Sequence, residues 1–485
     1  MIYLYKEYLP KYLFYTFLIL FLIQLFSCES SSSKKDGGIS GTVALFGESD
    51  CSGVVVSLYS LAVPDSSCNR IWREHRHIGV ELKQENIFEH TDNVPLYSTL
   101  SSVDGKFSIA NIKPGTYNLV AEKEGWGHRH IYSIDVSNDQ KNGFWHPTSI
   151  INHTMMNVET DEIILYPVVE VFGIYSEEFM FQKDRIYVVS QDAIFEAPVI
   201  VEGGSEIRVN PDVELRFLST VVSSDNGLYA KLMKNKVSGQ DQRRWNGIEL
   251  YSHDNVINNW ILKDANTGIQ IFGDNTSIQS SMFENNGVAV QAVAINSNIN
   301  NCLFYDIDDR GFGLNQSAGS DVIEHVLHNN IFYNTFCGLR TNGHAVSIKH
   351  NYFVDCEEGI VSSNEYHVIE RNSFDRNKKA IICNGSHSDI KENNFYYNTN
   401  SISFETAYYV GRSNPRIINN NFYQSSGYAI RLALWTAEED IDATLNYWFS
   451  NNIDKLIYDK HDSPALEYEV LYLPKLNRVI AGIGV

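Results

Sequence analysis

The sequence has few basic residues. Of its 485 residues, 38 are Lys or Arg and 59 are Asp or Glu, so the formal net charge is −21. Proteins that bind nucleic acid neutralise phosphates with clustered Lys and Arg. The composition therefore argues against a nucleic-acid partner, and equally against docking on anionic lipid through a basic face. Hydrophobic residues make up 43% of the chain and aromatic residues 12%, which excludes wholesale disorder.

Metal-binding spacings are missing as well. The chain has seven Cys, and none lies in the Cys-x-x-Cys or Cys/His spacing of a zinc site, so we predict no metal site and no cofactor. Cys51 and Cys68 fall in one small segment and are candidates for a disulfide, which export would permit. We expect four further cysteines to be buried as small hydrophobic residues: Cys302, Cys337, Cys356 and Cys383.

The long apolar run near the N-terminus is too short to cross a bilayer. "YLFYTFLILFLIQLF" has fifteen residues, against the roughly 18–20 that a spanning helix needs, and this length fits a signal peptide. It ends in Leu25-Phe26-Ser27-Cys28, which resembles a bacterial lipoprotein signal. The resemblance implies removal of residues 1–27, a lipid on Cys28 and export to the bacterial cell envelope. An uncleaved short anchor is the alternative. The polar residues 28–37 predict a flexible tether.

Short alternating segments follow. In "GVVVSLY", "GKFSIANI" and "TYNLVAEK" the apolar residues recur with period two, which predicts half-buried strands. Asp104-Gly105 and Pro114-Gly115 are turn signals. "ISGTVALFGESDCSGVVVSLY" and "SSVDGKFSIANIKPGTYNLVAEKEGW" resemble the carboxypeptidase regulatory-like family. That resemblance implies a small β-sandwich over residues 38–137, of a kind that acts as a spacer or stalk.

An insert at residues 60–97 departs from that family's pattern. It carries His75, His77 and His90, which invite interpretation as a metal site. No fixed arrangement of carboxylates and histidines follows from their spacing, so a solvated loop is the simpler interpretation.

One apolar frame recurs through the second half of the chain. Alignment on its aromatic position gives spacings of 22, 21, 28, 21, 21, 21, 27 and 26 residues. The anchor residues are Ile261, Phe283, Phe304, Phe332, Phe353, Phe374, Phe395, Phe422 and Trp448. Self-similarity at this period is typical of a solenoid. A leucine-rich repeat has an overlapping period but requires a Leu-x-x-Leu-x-Leu template, whereas Ile, Phe and Asn dominate here.

The separations between the inward apolar positions of one repeat are odd numbers of residues, and this predicts the type of solenoid. The inward apolar positions are 5, 7 and 9 residues apart, whereas residues on one face of a straight strand are an even number apart. Each gap should therefore contain a corner, and three corners per coil predict a three-sided right-handed parallel β-helix. Asn tolerates the left-handed conformation. We therefore expect Asn two residues before the anchor at the first corner, for example Asn259 and Asn351, and Asn285, Asp306, Asn334, Asp355 and Asn398 at the second.

Two flanking stretches extend this assignment. Trp245-Asn246-Gly247-Ile248 and the segment before it resemble the opening coils of bacterial surface β-helix proteins, and "NYWFSNNIDKLIYDKHDSPALEYEVLYLP" resembles their closing cap. The expected protein is all-β, with a linker at residues 138–163, a β-helix at 164–476 and a tail at 477–485. The superfamily includes lyases, glycosidases and adhesins, so the resemblance implies architecture rather than activity.

An acidic cluster is the strongest candidate for catalysis. Asp306, Asp308, Asp309 and Arg310 lie in the longest polar excursion of the repeat. A calcium-assisted lyase needs such carboxylates and an Arg base, and paired carboxylates could serve a glycosidase. The spacing is not that of an EF-hand, because Ser317 stands where the bidentate Glu belongs. The Asn-Thr-Asp, Gly-His-Gly and Arg-Ile-Lys motifs of β-helix glycosidases are absent. A solvated turn is the alternative, and calcium is expected only for the lyase.

Other polar groups recur at similar points of successive coils. Outward positions are expected for Glu357, Glu358, Lys378 and Lys379. A stacked ladder at a corner is expected for His344, His367 and His387. Exposed aromatic residues stack on sugar rings, and the candidates are Tyr396, Tyr397, Tyr408, Tyr409 and Tyr423, although Tyr also suits exposed strand positions by propensity alone.

The sequence favours a non-enzymatic protein of the cell envelope. We expect a lipid-anchored binding or scaffold protein that engages polysaccharide along the β-helix. A polysaccharide lyase or glycosidase acting at the acidic cluster is the alternative. A catalytic β-helix should show an acid/base cluster spread over several adjacent coils, whereas the acidic residues here are confined to one.

Overall fold

The computed structural model describes residues 37–136 and 162–485, apart from 225, 238–241, 295, 315–324, 343–345, 366 and 406–411. Cys28, the signal segment and nearly all of the predicted tether and linker lie outside the described residues. Within the described part, none of the helices is long and apolar enough to cross a membrane.

The N-terminal unit consists of two small sheets. Its strands are β1 (Gly37–Leu45), β2 (Val55–Ser60), β3 (Tyr97–Leu100), β4 (Lys106–Ile112), β5 (Gly115–Lys123), β6 (Gly127–Val136) and β7 (Ile163–Leu165). One sheet has the order β4-β1-β7 and the other β3-β2-β5-β6. They enclose one hydrophobic core that includes Val43, Val56 and Leu119. Although β7 lies at the predicted boundary between linker and β-helix, it pairs with β1 of this unit.

The rest of the described chain is a right-handed parallel β-solenoid with three sheets, which confirms the predicted fold class. The first two coils use long strands that belong to sheets B and A at once, β8 (Val169–Tyr175) and β10 (Ile186–Phe195). Each later coil adds one strand to sheet C, then one to sheet B, then one to sheet A. Ladder hydrogen bonds stack successive coils at the strand spacing of about 4.8 Å.

The strands of the three sheets are as follows. Sheet C contains β9 (Phe179–Phe181), β11 (Val199–Glu202), β14 (Val221–Ser224), β17 (Val256–Asn258), β20 (Ser277–Gln279), β23 (Asn298–Asn300), β26 (His325–His328), β29 (Val346–Lys349), β32 (Val368–Glu370), β35 (Asp389–Lys391) and β38 (Arg416–Ile418). Sheet B contains β12 (Glu206–Val209), β15 (Ala230–Lys234), β18 (Trp260–Lys263), β21 (Met282–Glu284), β24 (Leu303–Tyr305), β27 (Ile331–Tyr333), β30 (Tyr352–Val354), β33 (Ser373–Asp375), β36 (Asn394–Tyr396), β39 (Asn421–Phe422) and β42 (Tyr447–Trp448). Sheet A contains β13 (Glu214–Phe217), β16 (Trp245–Leu250), β19 (Ala265–Ile271), β22 (Val288–Ala292), β25 (Arg310–Leu314), β28 (Cys337–Thr341), β31 (Glu358–Glu365), β34 (Lys379–Ser386), β37 (Asn400–Phe404), β40 (Ile430–Arg431) and β43 (Ile457–Tyr458). At the C-terminal end β41 (Ile441–Asp442) pairs with β44 (Val470–Leu471).

The predicted aromatic anchors stack inside the solenoid. Phe332 and Phe353 have ring centroids 4.7 Å apart and planes 2° from parallel, and the stack continues in the same manner from Phe283 to Trp448. One anchor was misplaced, because Leu262 rather than Ile261 is in register with Phe283. With Leu262 as the anchor, that spacing becomes 21 residues instead of 22.

Buried asparagines form a ladder beside the aromatic stack. The backbone N–H of Asn351 donates to Oδ1 of Asn372 at 2.9 Å, and Nδ2 of Asn372 donates to the carbonyl of Ile348 at 2.9 Å. Each ladder member therefore satisfies a backbone donor and a backbone acceptor of the preceding coil. The ladder comprises Asn330, Asn351, Asn372, Asn393, Asn420 and Asn446, all at 0% exposure.

At the first corner Asn259 has positive φ as predicted, whereas Asn351 does not. In the later coils the left-handed residue lies three positions before the anchor rather than two. It is Ser280, Asn301, Asn329, His350, Arg371, Glu392, Asn419 or Leu445, with φ between 47° and 59°. The prediction was wrong because it assigned both the left-handed backbone and the side-chain hydrogen bonds to one Asn. At the second corner Asn285, Asp306, Asn334 and Asp355 have positive φ as predicted, whereas Tyr397 has it in place of Asn398.

The insert at residues 60–97 packs on the outside of sheet B instead of forming a solvated loop. It contains α1 (Ser66–Glu74), α2 (Gln84–Ile87) and a 3-10 turn at His90–Asp92. Its buried residues Cys68, Ile71 and Ile78 contact an outward apolar column that contains Ile261, Met282, Leu303, Ile331 and Tyr352. The N–H of Gly79 donates to the carbonyl of Asn329 at 2.8 Å, and its φ of 62° and close approach to Ile331 require glycine. The insert thus fastens the sandwich to the side of the solenoid.

The residues predicted as a C-terminal tail also lie on sheet B. The N–H of Ile480 donates to Oδ1 of Asn421 at 3.0 Å, and the N–H of Val485 donates to Ser373 Oγ at 3.1 Å. The insert and the tail therefore cover the outward side of sheet B from its two ends.

The candidate disulfide is not formed in this structure. Cys51 and Cys68 are both free and lie in different hydrophobic cores, the first in the sandwich and the second between the insert and sheet B. The other four cysteines are buried, as predicted.

We expect Phe353→Ala to lower the free energy of unfolding by about 3–5 kcal/mol, because it leaves a cavity between two coils. The control is Tyr397→Asn. The Tyr397 side chain is 61% exposed, its φ of 53° suits Asn, and a surface change of this kind should cost within about 0.5 kcal/mol. Equal, small losses at both positions in denaturant titrations would contradict the stacking.

Candidate functional site

The acidic cluster lies where the chain enters sheet A. Asp306 is a corner residue that accepts a hydrogen bond from Asn334 of the next coil. Asp308 lies 2.9 Å from Nη1 of Arg244, and Asp309 lies 2.8 Å from Nη2 of Arg310. The side chains of Asp308 and Asp309 are 66% and 42% exposed. Each outward carboxylate is thus paired with an arginine.

The cluster is not the place where this coil lengthens most. The register pairs Val288 with Arg310 and Asn298 with Val326. Most of the additional residues therefore fall after Leu314, in a segment outside the described residues. The acidic cluster therefore lies beside the longest part of this polar excursion and not within it.

The predicted outward charges of the later coils are in place. Lys378 forms an ion pair with Glu357, and Arg340 lies 3.1 Å from Glu358. Lys379 lies 2.7 Å from Glu405. These pairs link successive coils on the surface and need no catalytic explanation.

A continuous polar row runs along the outward side of sheet A from the third coil to the sixth. The register aligns Arg216 of β13 with Glu249 of β16, Gln270 of β19 and Gln291 of β22. We call these four residues the sheet A row. Arg216 Nε donates to Glu249 at 3.0 Å, and Gln291 Nε2 donates to the carbonyl of Gly313 at 3.1 Å. In later coils the outward positions include a small buried apolar cluster, formed by Cys337, Val361 and Ile382.

The predicted sugar-stacking tyrosines do not form an open platform. The rings of Tyr396 and Tyr423 stack on each other with centroids 4.5 Å apart, and Phe449 follows Tyr423 at 6.2 Å. A ring face that is covered by a neighbouring ring is not available to a pyranose. Tyr397 is exposed, and Tyr408 and Tyr409 lie outside the described residues.

The predicted histidine ladder does not form. His367 is buried inside the solenoid, with Nε2 3.0 Å from Thr341 Oγ1, whereas His387 faces outward and contacts Glu438 at 2.9 Å. They differ by one residue in their offset from the anchor, which places them on opposite sides of the backbone. His344 lies outside the described residues.

A different histidine cluster lies between the sandwich and the first coils of the solenoid. His128 and His130 alternate along β6 and so share one face, and His90 reaches them from the insert. The ring centroids are 4.4 Å (His90–His128), 4.9 Å (His90–His130) and 4.7 Å (His128–His130) apart. Of these three residues only His90 stood among the candidates from the sequence, and it was grouped there with His75 and His77. The His-x-His spacing in a strand was the available signal, but the third member depends on the position of the insert.

Buried charges surround the three histidines. Glu206 lies 3.1 Å from Nε2 of His128 and also contacts Arg208. Arg208 in turn lies 3.0 Å from Glu89. Burial alone would raise the pKa of the Glu206 carboxyl, but the Arg208 guanidinium holds this pKa well below its usual range.

The imidazoles themselves are in unequal electrostatic settings. Burial alone would lower the pKa of His90, but hydrogen bonds to Glu122 and Glu89 raise this pKa to about 9. Burial lowers the pKa of His130 well below its usual value, and His128 adds to that effect. Lys231 donates to the hydroxyl of Tyr132 at 2.9 Å on the same face of β6.

A cavity opens beside this cluster. Its volume is about 790 Å³, and its walls include His128, His130, Tyr132, Lys183, Glu206 and Lys231. Cavities of this size with convergent polar groups are typical of small-molecule sites.

Comparison with known proteins identifies the architecture. The family described as right handed beta helix region matches residues 296–453, about a third of the chain. A search of the curated proteins found no match.

Solved structures give distant likenesses. The catalytic domain of a GH87 alpha-1,3-glucanase in complex with tetrasaccharides shares 12% identity, with 91% of this chain and 90% of that chain covered and a TM-score of 0.41. The GH87 alpha-1,3-glucanase of Streptomyces thermodiastaticus strain HF3-3 shares 9% identity over 90% of both chains, with a TM-score of 0.35. The Family 28 exopolygalacturonase of Yersinia enterocolitica shares 10% identity over 90% of this chain and 94% of that one, with a TM-score of 0.29. Likenesses this remote carry no activity over to this chain.

Proposed function

We propose that this is an exported, lipid-anchored protein of the bacterial cell envelope that binds an extended polysaccharide along the sheet A row. The observation that supports this most is the register of Arg216, Glu249, Gln270 and Gln291 on four successive strands. Amide, guanidinium and carboxylate groups donate to and accept from sugar hydroxyls. They recur at the coil spacing of about 4.8 Å, which is comparable to the length of one sugar unit.

The alternative surface on sheet B is less suitable. The insert covers its outward apolar column, and the C-terminal residues bond to Asn421 and Ser373. The tyrosines at its far end stack on one another. A polymer would have to displace the protein's own chain to bind there.

Cleavage of the same polysaccharide is the second candidate. Asp308, Asp309 and Arg310 lie at the edge of sheet A, and Arg310 is in register with Val288 beside the sheet A row. A glycoside hydrolase or a lyase would use these groups, and only the lyase would require calcium. Binding without cleavage, which the sequence favours, stays a prediction.

The binding proposal can be tested with a glycan screen of the purified protein. We expect Gln270→Ala to weaken binding of the best glycan about 2- to 13-fold, because a net hydrogen bond contributes roughly 0.5–1.5 kcal/mol. Gln279→Ala removes the same side chain from sheet C and should leave affinity unchanged. Equal effects of the two substitutions, or no glycan bound at all, would contradict the proposal. Reducing ends or unsaturated products that disappear in Asp308→Asn would favour cleavage.

The anchor is tested separately. We expect mass spectrometry of the membrane-associated protein to find an N-terminal acylated Cys28, and Cys28→Ser to leave the protein unprocessed and without lipid. An unmodified N-terminus at any other residue of the mature protein would show that the lipoprotein assignment is wrong.

A further inference from the structure

Three imidazoles meet at the junction in an arrangement suited to metal ligation. One ligand nitrogen from each of His90, His128 and His130 can be chosen so that all three lie within 4.8 Å of one another. They come from two separate pieces of chain, strand β6 and the insert. We propose that these three histidines bind one divalent transition-metal ion of the zinc type.

Two ring nitrogens of the cluster already lie about as close together as two ligands of one ion. Nδ1 of His90 lies 2.9 Å from Nε2 of His130, so two ring nitrogens face each other and only one can donate. An ion bonded to both nitrogens at about 2.0–2.1 Å satisfies both lone pairs. The third imidazole, His128, needs only a small shift, because its ring is already 4.4 Å from that of His90.

Carboxylates surround the histidines as they do in known histidine metal sites. Metal-bound histidines donate their second N–H to a carboxylate, which fixes the ring and raises its basicity. Glu122 lies 3.5 Å from Nε2 of His90, and Glu206 lies 3.1 Å from Nε2 of His128. Glu89 lies 3.1 Å from Nδ1 of His90, the nitrogen that faces His130, so it neighbours the ion rather than the second N–H of the ring.

The charge balance also favours a cation. The groups that face the cluster are the carboxylates Glu89, Glu122 and Glu206 and the cations Arg208 and Lys231. Two of the carboxylates, Glu89 and Glu206, have side chains only 14% and 9% exposed. Burial of a negative group is costly unless a positive charge lies close to it, and a bound ion supplies such a charge.

The cavity provides a route for the ion. His128, His130 and Glu206 line its wall, so an ion can reach the three nitrogens from solvent. A water molecule can supply the fourth ligand of a tetrahedral site. Imidazole donors select zinc, copper or nickel over calcium and magnesium, which take oxygen ligands. The site is therefore distinct in its chemistry from any calcium bound at Asp306–Arg310.

An ion held here would connect the parts of the molecule. Two ligands belong to the sandwich and one to the insert, which packs on sheet B. Glu206 belongs to β12 of the solenoid. Metal binding should therefore stabilise the position of the sandwich on the solenoid, since a ligand that binds only the folded arrangement favours it.

The experiment is metal titration of the full chain after treatment with a chelator. We expect one equivalent of Zn²⁺ to bind, a higher thermal unfolding temperature in its presence, and visible absorption bands of tetrahedral cobalt when Co²⁺ replaces it. His128→Asn and His130→Asn should each weaken Zn²⁺ binding at least about tenfold, since even the loss of a carboxylate behind a ligand costs about 10–100-fold. Calcium should produce none of these changes.

The matched control is His461→Asn. His461 also pairs with a carboxylate, Glu469 at 2.6 Å, but lies far along the chain on an exposed surface, so zinc affinity should not change. Circular dichroism establishes that each variant is folded, and if His130→Asn fails this check, His128→Asn at the cavity wall decides. Zinc bound with unchanged affinity by the folded histidine variants, or no zinc bound by the wild-type protein, would overturn the proposal.

Discussion

The solenoid depends on one repeated interaction, the hydrogen bond from the backbone of one coil to a buried asparagine side chain of the next. At Asn372 the side-chain oxygen accepts from the backbone and side chain of Asn351, and the amide group donates to the carbonyl of Ile348. These bonds satisfy corner groups that the sheets leave unpaired, and an unpaired buried group costs about 1–3 kcal/mol. Because the ladder fixes each corner, it also fixes where the neighbouring Phe enters the core and which side chains align on sheet A.

Much of the fold was predictable because this constraint acts on the sequence at every coil. The period, the three corners and the aromatic stack follow from the spacing of Ile, Asn and Phe. The residue with the left-handed backbone did not follow, because Arg371 and Glu392 occupy that position as well as Asn. The ladder and the flanking strands determine the backbone there, so the local preference of the residue is overridden. The misplacement at Ile261 has another cause, because Ile261 and Leu262 are adjacent apolar residues that face opposite sides of sheet B.

The packing between parts of the chain was much less predictable. The insert appeared polar and rich in histidine, yet Cys68, Ile71 and Ile78 pack on sheet B. Its partners on the solenoid are outward apolar residues of sheet B, and the sequence alone does not indicate that another segment covers them. The candidate sites follow the same division. The acidic cluster was found by composition, but Asp308 and Asp309 are paired with arginines. The histidine cluster joins residues 90 and 130 and could be found only from the fold.

The central claim is that the asparagine ladder holds the coils in register, and the most direct test is the unfolding free energy of Asn372→Ala. Asn372 is fully buried, and its loss orphans the backbone N–H of Asn351, so we predict a loss of about 2–4 kcal/mol. Asn266→Ala is the comparison, because Asn266 is exposed and its amide contacts only the side chain of Asn246 at 3.1 Å. That substitution should cost within about 0.5 kcal/mol. Equal, small losses for the two substitutions in the same denaturant titration would contradict the account.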